Sequence, residues 1–139
     1  MNKNTDIHGL KKIFFIFCIL VSSLYSNVTN EYSSQKILDS KIPIIDIRTV
    51  GEWKDSGLLK GAIPIMFFNE RGGYDLNAFL KTLQEKVDTS KSFALICRSG
   101  SRTKMVSNYL SQTYGYNVIN LQGGMIYAKS INLPIIPYK

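Results

Sequence analysis

The feature that most narrows the fold is an alternation: short β-branched apolar runs separated by stretches with helical periodicity. Ile42-Pro43-Ile44-Ile45-Asp46-Ile47 is the first such run. It is too continuously apolar for a strand with one wet face, so it reads as a parallel strand buried on both faces. Residues 62–68, 93–96 and 117–121 repeat the pattern. Residues 50–55 predict a short helix stopped at Ser56-Gly57. Asp75 has N-cap chemistry, and Leu76, Phe79, Leu80, Leu83 and Val87 follow it on one amphipathic face. Met105, Val106, Tyr109 and Leu110 predict another buried helical face, ended near Tyr114-Gly115. Gly123-Gly124 opens a last short helix toward Ser130. Strands alternating with helices predict an α/β domain with an open parallel sheet covered on both faces.

The N-terminus does not join this pattern. Lys11-Lys12 precede an unbroken apolar run from Ile13 to Val21, followed by Ser22-Ser23-Leu24-Tyr25-Ser26-Asn27. A basic region, a short apolar stretch and then small residues describe a secretory signal peptide. The run falls well short of the ~20 residues that span a bilayer. Residues 1–26 are therefore expected to be a signal peptide, cleaved after Ser23 or Ser26, with residues 27–139 as one domain. The expected location is periplasmic or otherwise exported, with an uncleaved N-terminal membrane anchor as the alternative. Apart from that signal, nothing predicts membrane contact.

Composition then limits the chemistry. Among 139 residues there are two cysteines, Cys18 and Cys97, and a single histidine, His8. Cleavage removes Cys18 and His8, leaving one thiol and no imidazole. No Cys/His cluster has zinc-ligand spacing, so no metal is expected. The net charge of +7 raises nucleic acid as a partner. The lysines are scattered, however, and no basic stripe interleaved with aromatics appears, so no nucleic-acid binding is expected.

Cys97 occupies a favourable position. It follows the strand at 93–96 and precedes Arg98-Ser99-Gly100-Ser101-Arg102, after which a helix begins. In open α/β sheets, sites form beyond the carboxyl ends of strands. A small-residue loop entering a helix turns backbone N–H groups inward and makes an anion cradle. Those N–H groups, with Arg98 and Arg102, favour the thiolate without any histidine. The plainer alternative is a buried strand-end cysteine beside a solvated basic turn.

Residues 97–102 resemble the six-residue active-site loop of rhodanese-domain sulfurtransferases. Ile45-Asp46-Ile47-Arg48 with Glu52-Trp53 is similar to that family's first motif, and residues 57–63 to its next turn and strand. Residues 117–121, Gly123-Gly124 and Leu133-Pro134 are similar to its C-terminal strand, glycine pair and closing turn. The likeness runs from about residue 28 to 136. It departs at Leu58, where many members have His, at Ala128, where many have Trp, and at Asn132, where Gly is common. The first two are packing positions, and Asn tolerates a left-handed turn.

The resemblance implies a five-stranded parallel sheet whose first strand lies near residues 28–31. It also implies a two-step sulfur relay with no cofactor. Cys97 takes the outer sulfur of an anionic donor such as thiosulfate, and a thiol, cyanide or a protein acceptor removes it. Residues 98–102 would cradle the persulfide, with Arg98 and Arg102 neutralising the donor. Ser99 and Ser101 are either hydrogen-bond donors there or simply small turn residues. Asp46 and Arg48 are expected to form a structural pair near the end of the sheet. Phe67, Phe68 and Asn69 end a neighbouring strand; the two Phe suit the core.

Two other classes compete. A cysteine phosphatase or arsenate-reductase-like enzyme also sets Cys and Arg around an oxyanion, but with five residues between them. Cys97 and Arg102 have four, and position 103 is Thr. A non-catalytic rhodanese module used for binding is the third, and the presence of the cysteine argues against it.

Overall fold

A computed structural model describes residues 27–139; the expected signal peptide lies outside the described residues. The elements run β1 (Val28–Tyr32), α1 (Gln35–Asp39), β2 (Ile44–Asp46), α2 (Val50–Ser56), β3 (Leu58–Leu59), β4 (Ile63–Pro64), α3 (Leu76–Lys86), β5 (Phe93–Ile96), α4 (Ser101–Tyr114), β6 (Val118–Gln122), α5 (Gly124–Ser130) and β7 (Ile135–Ile136). Five strands form one parallel sheet in the order β1-β6-β5-β2-β4. The first strand falls where the resemblance placed it. β3 and β7 pair separately and antiparallel, Leu58 opposite Ile136 and Leu59 opposite Ile135.

Strand alternation sends neighbouring residues to opposite faces and builds two cores. On one face, Ile45, Ile47, Phe93, Leu95 and Val118 pack with Phe79 and Leu83 of α3 and Val106 and Leu110 of α4. On the other, Ile44, Ala94, Ile96, Ile119 and Leu121 pack with Ile37 of α1 and Met125 and Ala128 of α5. β5 is buried at all four positions, as expected for a central strand covered on both sides. Ala128 and Leu58, where the family often has Trp and His, are both buried. Asn132 takes the left-handed conformation at φ +58.

Two sequence expectations are corrected. Residues 62–68 do not form one long strand. Only Ile63–Pro64 pairs regularly with β2; Pro64, whose missing N–H would face the open edge, is tolerated there. Beyond it the segment keeps to β2 through the Ile65 N–H to the Asp46 carbonyl at 3.0 Å and the Phe67 N–H to the Ile47 carbonyl at 3.2 Å, without continuing the ladder. On α4, Val106 and Leu110 are buried, but Met105 is 56% and Tyr109 40% exposed. The helix instead turns Thr103, Ser107 and Ser111 inward. These small side chains let it lie close to the sheet, and the bulkier Met and Tyr are rotated outward.

Candidate active site

Asp75, Thr49 and Ser34 cap α3, α2 and α1, but α4 begins differently. Its N-cap is Gly100, with φ +93 and no side-chain cap. This glycine turns the chain back over Cys97, at the carboxyl end of β5. The Gly100 N–H donates to Cys97 Sγ at 3.1 Å. Thr103 Oγ1 lies 3.6 Å from the same sulfur and donates to the Gly100 carbonyl at 3.1 Å. Within the described residues, no protein acceptor takes the N–H of Arg98, Ser99, Ser101 or Arg102. These donors sit at the positive end of α4, so the loop suits a negatively charged group. Cys97 itself is fully buried.

The loop is held from behind by α5. Met125 N–H donates to the Cys97 carbonyl at 2.8 Å, and Ile126 N–H to the Arg98 carbonyl at 3.1 Å. Pulling these two carbonyls toward α5 leaves the loop's amides free to face the other way. The approach is close enough to demand glycine. A Cβ on Gly124 (φ +55) would collide with the Cys97 carbonyl oxygen and come within 2.6 Å of the Arg98 carbonyl oxygen.

The two arginines expected to act alike are placed differently. Arg98 is exposed and lines clefts on both sides of the loop. Arg102 is committed to a bidentate pair with Glu52, Nη1 to Oε2 at 2.8 Å and Nη2 to Oε1 at 2.6 Å. This pair holds the Glu52 carboxyl down to about 2, mainly through the hydrogen bond from Arg102. The Arg102 pKa moves up in turn, chiefly through Glu52, with a smaller contribution from Cys97 beside it. Glu52 Oε2 also accepts the Thr49 N–H at 3.1 Å, closing a capping box at the start of α2.

Ser99 and Ser101 are exposed, and their hydroxyls lie 3.3 Å from each other rather than on the sulfur. Asp46 and Arg48 form a buried bidentate pair, Nε to Oδ1 at 3.0 Å and Nη2 to Oδ2 at 2.8 Å. Arg48 continues to Ser56 Oγ and the Gly57 carbonyl, each at 2.6 Å. It thereby ties the end of β2 to the end of α2, a structural role. Phe67 is buried, while Phe68 and Asn69 line the cleft that holds Arg98 and Arg102. Among the described residues no three His, Cys, Asp or Glu side chains converge as a metal site would need.

Sequence reasoning missed Thr103 and Glu52 as parts of the site. Thr103 carried one signal, a β-branched hydroxyl in the first turn after the cysteine loop. Glu52 stands 50 residues from Arg102, and nothing local in the sequence links them.

Comparison with known proteins agrees with this geometry. The family model described as "Rhodanese-like domain" matches residues 29–126. The putative sulfurtransferase YtwF of Bacillus subtilis is 32% identical over 88 residues, covering 63% of this chain and 74% of that protein. A sulfurtransferase of Allochromatium vinosum is 27% identical over 115 residues, covering 81% and 96%. The crystal structure of SSP1007 from Staphylococcus saprophyticus superposes with a TM-score of 0.53 at 30% identity, covering 72% and 89%. With the sheet order, the cysteine loop at the end of β5 and a family match across most of its length, this chain belongs to the rhodanese-like domain family.

Proposed function

We propose that this chain is a sulfurtransferase that carries sulfane sulfur on Cys97. One observation carries the reading. The Cys97 sulfur accepts the Gly100 N–H at 3.1 Å inside a loop whose neighbouring N–H groups have no acceptor among the described residues. Such a loop stabilises a thiolate and, after one added sulfur, the terminal anion of a persulfide.

In the first step the Cys97 thiolate attacks the outer sulfur of thiosulfate. The new Cys97 S–S bond forms as the donor's S–S bond breaks, and sulfite leaves with the electron pair. In the second step a nucleophilic acceptor, either cyanide or a thiolate, attacks the outer persulfide sulfur and Cys97 departs as thiolate. No external oxidant or reductant is needed, and the kinetics are ping-pong. Arg98, exposed and unpaired among the described residues, meets the anionic donor. Arg102, fixed by Glu52, supplies a stationary positive charge beside the sulfur. Thr103 and the α5 contacts keep the loop in shape.

The test is intact mass after thiosulfate treatment: one added sulfur, lost on reduction and absent from Cys97→Ser. Thiosulfate:cyanide activity surviving in Cys97→Ser would overturn the reading. Removing a charge-assisted contact from the donor in Arg98→Ala is expected to raise KM on the order of 10-fold. Export completes the proposal. N-terminal sequencing of the purified protein should begin after Ser23 or Ser26, and an uncleaved membrane-bound form would refute that part.

A further inference from the structure

Helix α4 has a second apolar face that the described residues leave uncovered. Met105 (56% exposed) and Tyr109 (40%) project from it, and Tyr74 (63%) stands opposite. With Phe67, Phe68 and Val106 they line a groove of about 160 Å³, near the cavity size that accepts a benzene ring. Tyr74 is fixed as one wall, stacked on Phe67 with centroids 5.4 Å apart.

Two observations say what covers it. The first is continuity. Phe68 and Met105 line both this groove and the polar cleft that contains Arg98 and Arg102. An apolar group seated in the groove therefore holds its covalent neighbours at the mouth of the Cys97 loop. The second is charge. Over its 14 residues α4 carries no Asp or Glu. Since Arg102 is paired with Glu52, Lys104 on α4 and Arg98 in the cleft are the cations without a carboxylate partner among the described residues. The segment bearing Phe68 and Tyr74 sets Arg71 beside Glu70, which accepts the Gly51 N–H at 3.0 Å. Asp75 after it is turned to cap α3, so the groove's surplus charge is positive, from Lys104 and Arg98. Thiosulfate and cyanide offer nothing apolar for such a groove.

We propose that this face docks the sulfur acceptor, a protein whose reactive cysteine lies beside a large apolar side chain on an acidic surface. The inference rests on the sulfurtransferase reading and adds the acceptor's class. Its thiolate attacks the outer sulfur of the Cys97 persulfide; an S–S bond forms on the acceptor, one breaks on the enzyme, and Cys97 leaves as thiolate.

Two synthetic cysteine peptides test this, one with Leu and Phe flanking Cys among Asp and Glu, the other with Ser and Lys in those places. In a binding arm, labelled versions with Ser for Cys are titrated against the Cys97→Ser protein by fluorescence anisotropy. In a transfer arm, sulfur loss from persulfide-loaded protein is followed by intact mass. The acidic apolar peptide should bind and react on the order of 10-fold better. Tyr109→Ser and Tyr74→Ser should each erase most of that preference while leaving the cyanide rate unchanged. Equal behaviour of the two peptides, or a preference untouched by both variants, overturns the proposal while the cyanide rate still supports a sulfurtransferase. A protein that loads no sulfur overturns the sulfurtransferase reading, and the binding arm then decides the docking face by itself.

Discussion

Gly124→Ala tests the claim that α5 shapes the Cys97 loop from behind. Two costs add at this position. An alanine at φ +55 is strained by about 1–2 kcal/mol. Its Cβ would also come within 2.6 Å of the Arg98 carbonyl oxygen and closer still to that of Cys97. Relieving the collision separates α5 from the loop and weakens the bonds from Met125 and Ile126, each worth about 0.5–1.5 kcal/mol. The expected loss is thus roughly 2–4 kcal/mol, with the Cys97 and Arg98 peptides displaced and sulfur loading slowed. Gly115→Ala is the control. It has φ +70, and a Cβ there meets nothing within 4 Å, so only about 1–2 kcal/mol of strain applies. Urea unfolding of both variants measures the difference, and a time course of sulfur addition to Cys97 measures the effect on the site. If the two variants lose equal stability and load sulfur at the wild-type rate, the α5 contacts do not set the loop.

Glu52 gives a pH-dependent prediction. Its native pKa, lowered from 4.5 to about 2, contributes stability that is present above pH 4.5 and lost as pH falls toward 2. With both partners about a quarter exposed, screening reduces this to roughly 1–2 kcal/mol. Glu52→Gln keeps an oxygen for the Thr49 cap, so its urea midpoint should fall below wild type at pH 7 and approach it at pH 3; a constant gap would refute the assignment. For the buried pair, Arg48→Met strands the Asp46 carboxylate and should cost roughly 3–5 kcal/mol. Asp46→Asn combined with Arg48→Met should recover part of that loss in the same assay. A single-variant loss below about 1 kcal/mol would show that the pair does not anchor the β2–α2 turn.

Local chemistry accounts for what could be read from the chain. Asp75 caps α3 because its short acceptor reaches the Ala78 N–H at 3.0 Å. The run at 93–96 is a central strand because every position meets apolar cover. The Cys97 loop could be located because a strand, a glycine and a helix start fall together within six residues. Illegible parts depend on partners distant in sequence. Leu58–Leu59 becomes a strand only by meeting Ile135–Ile136, and neither pair is long enough to declare itself. Glu52 joins the site only through Arg102. On α4 the apolar pattern pointed to Met105 and Tyr109, but packing distance favoured Thr103, Ser107 and Ser111. Periodicity finds an apolar stripe and does not weigh how closely a helix can approach its sheet.

The pairing of β1 with β6 has a consequence for how the chain is made. Asn120 donates from Nδ2 to Asn30 Oδ1 across that pair, at 2.8 Å and from 90 residues away in sequence. β1 must therefore wait for β6, almost the last strand among the described residues, before it has a neighbour. The α5 amides that shape the Cys97 loop are synthesised later still. Such distant contacts slow folding and lengthen the exposure of unpaired strands. A nascent chain carries the Cys97 thiol well before it owns the α5 contacts that shape the loop around it.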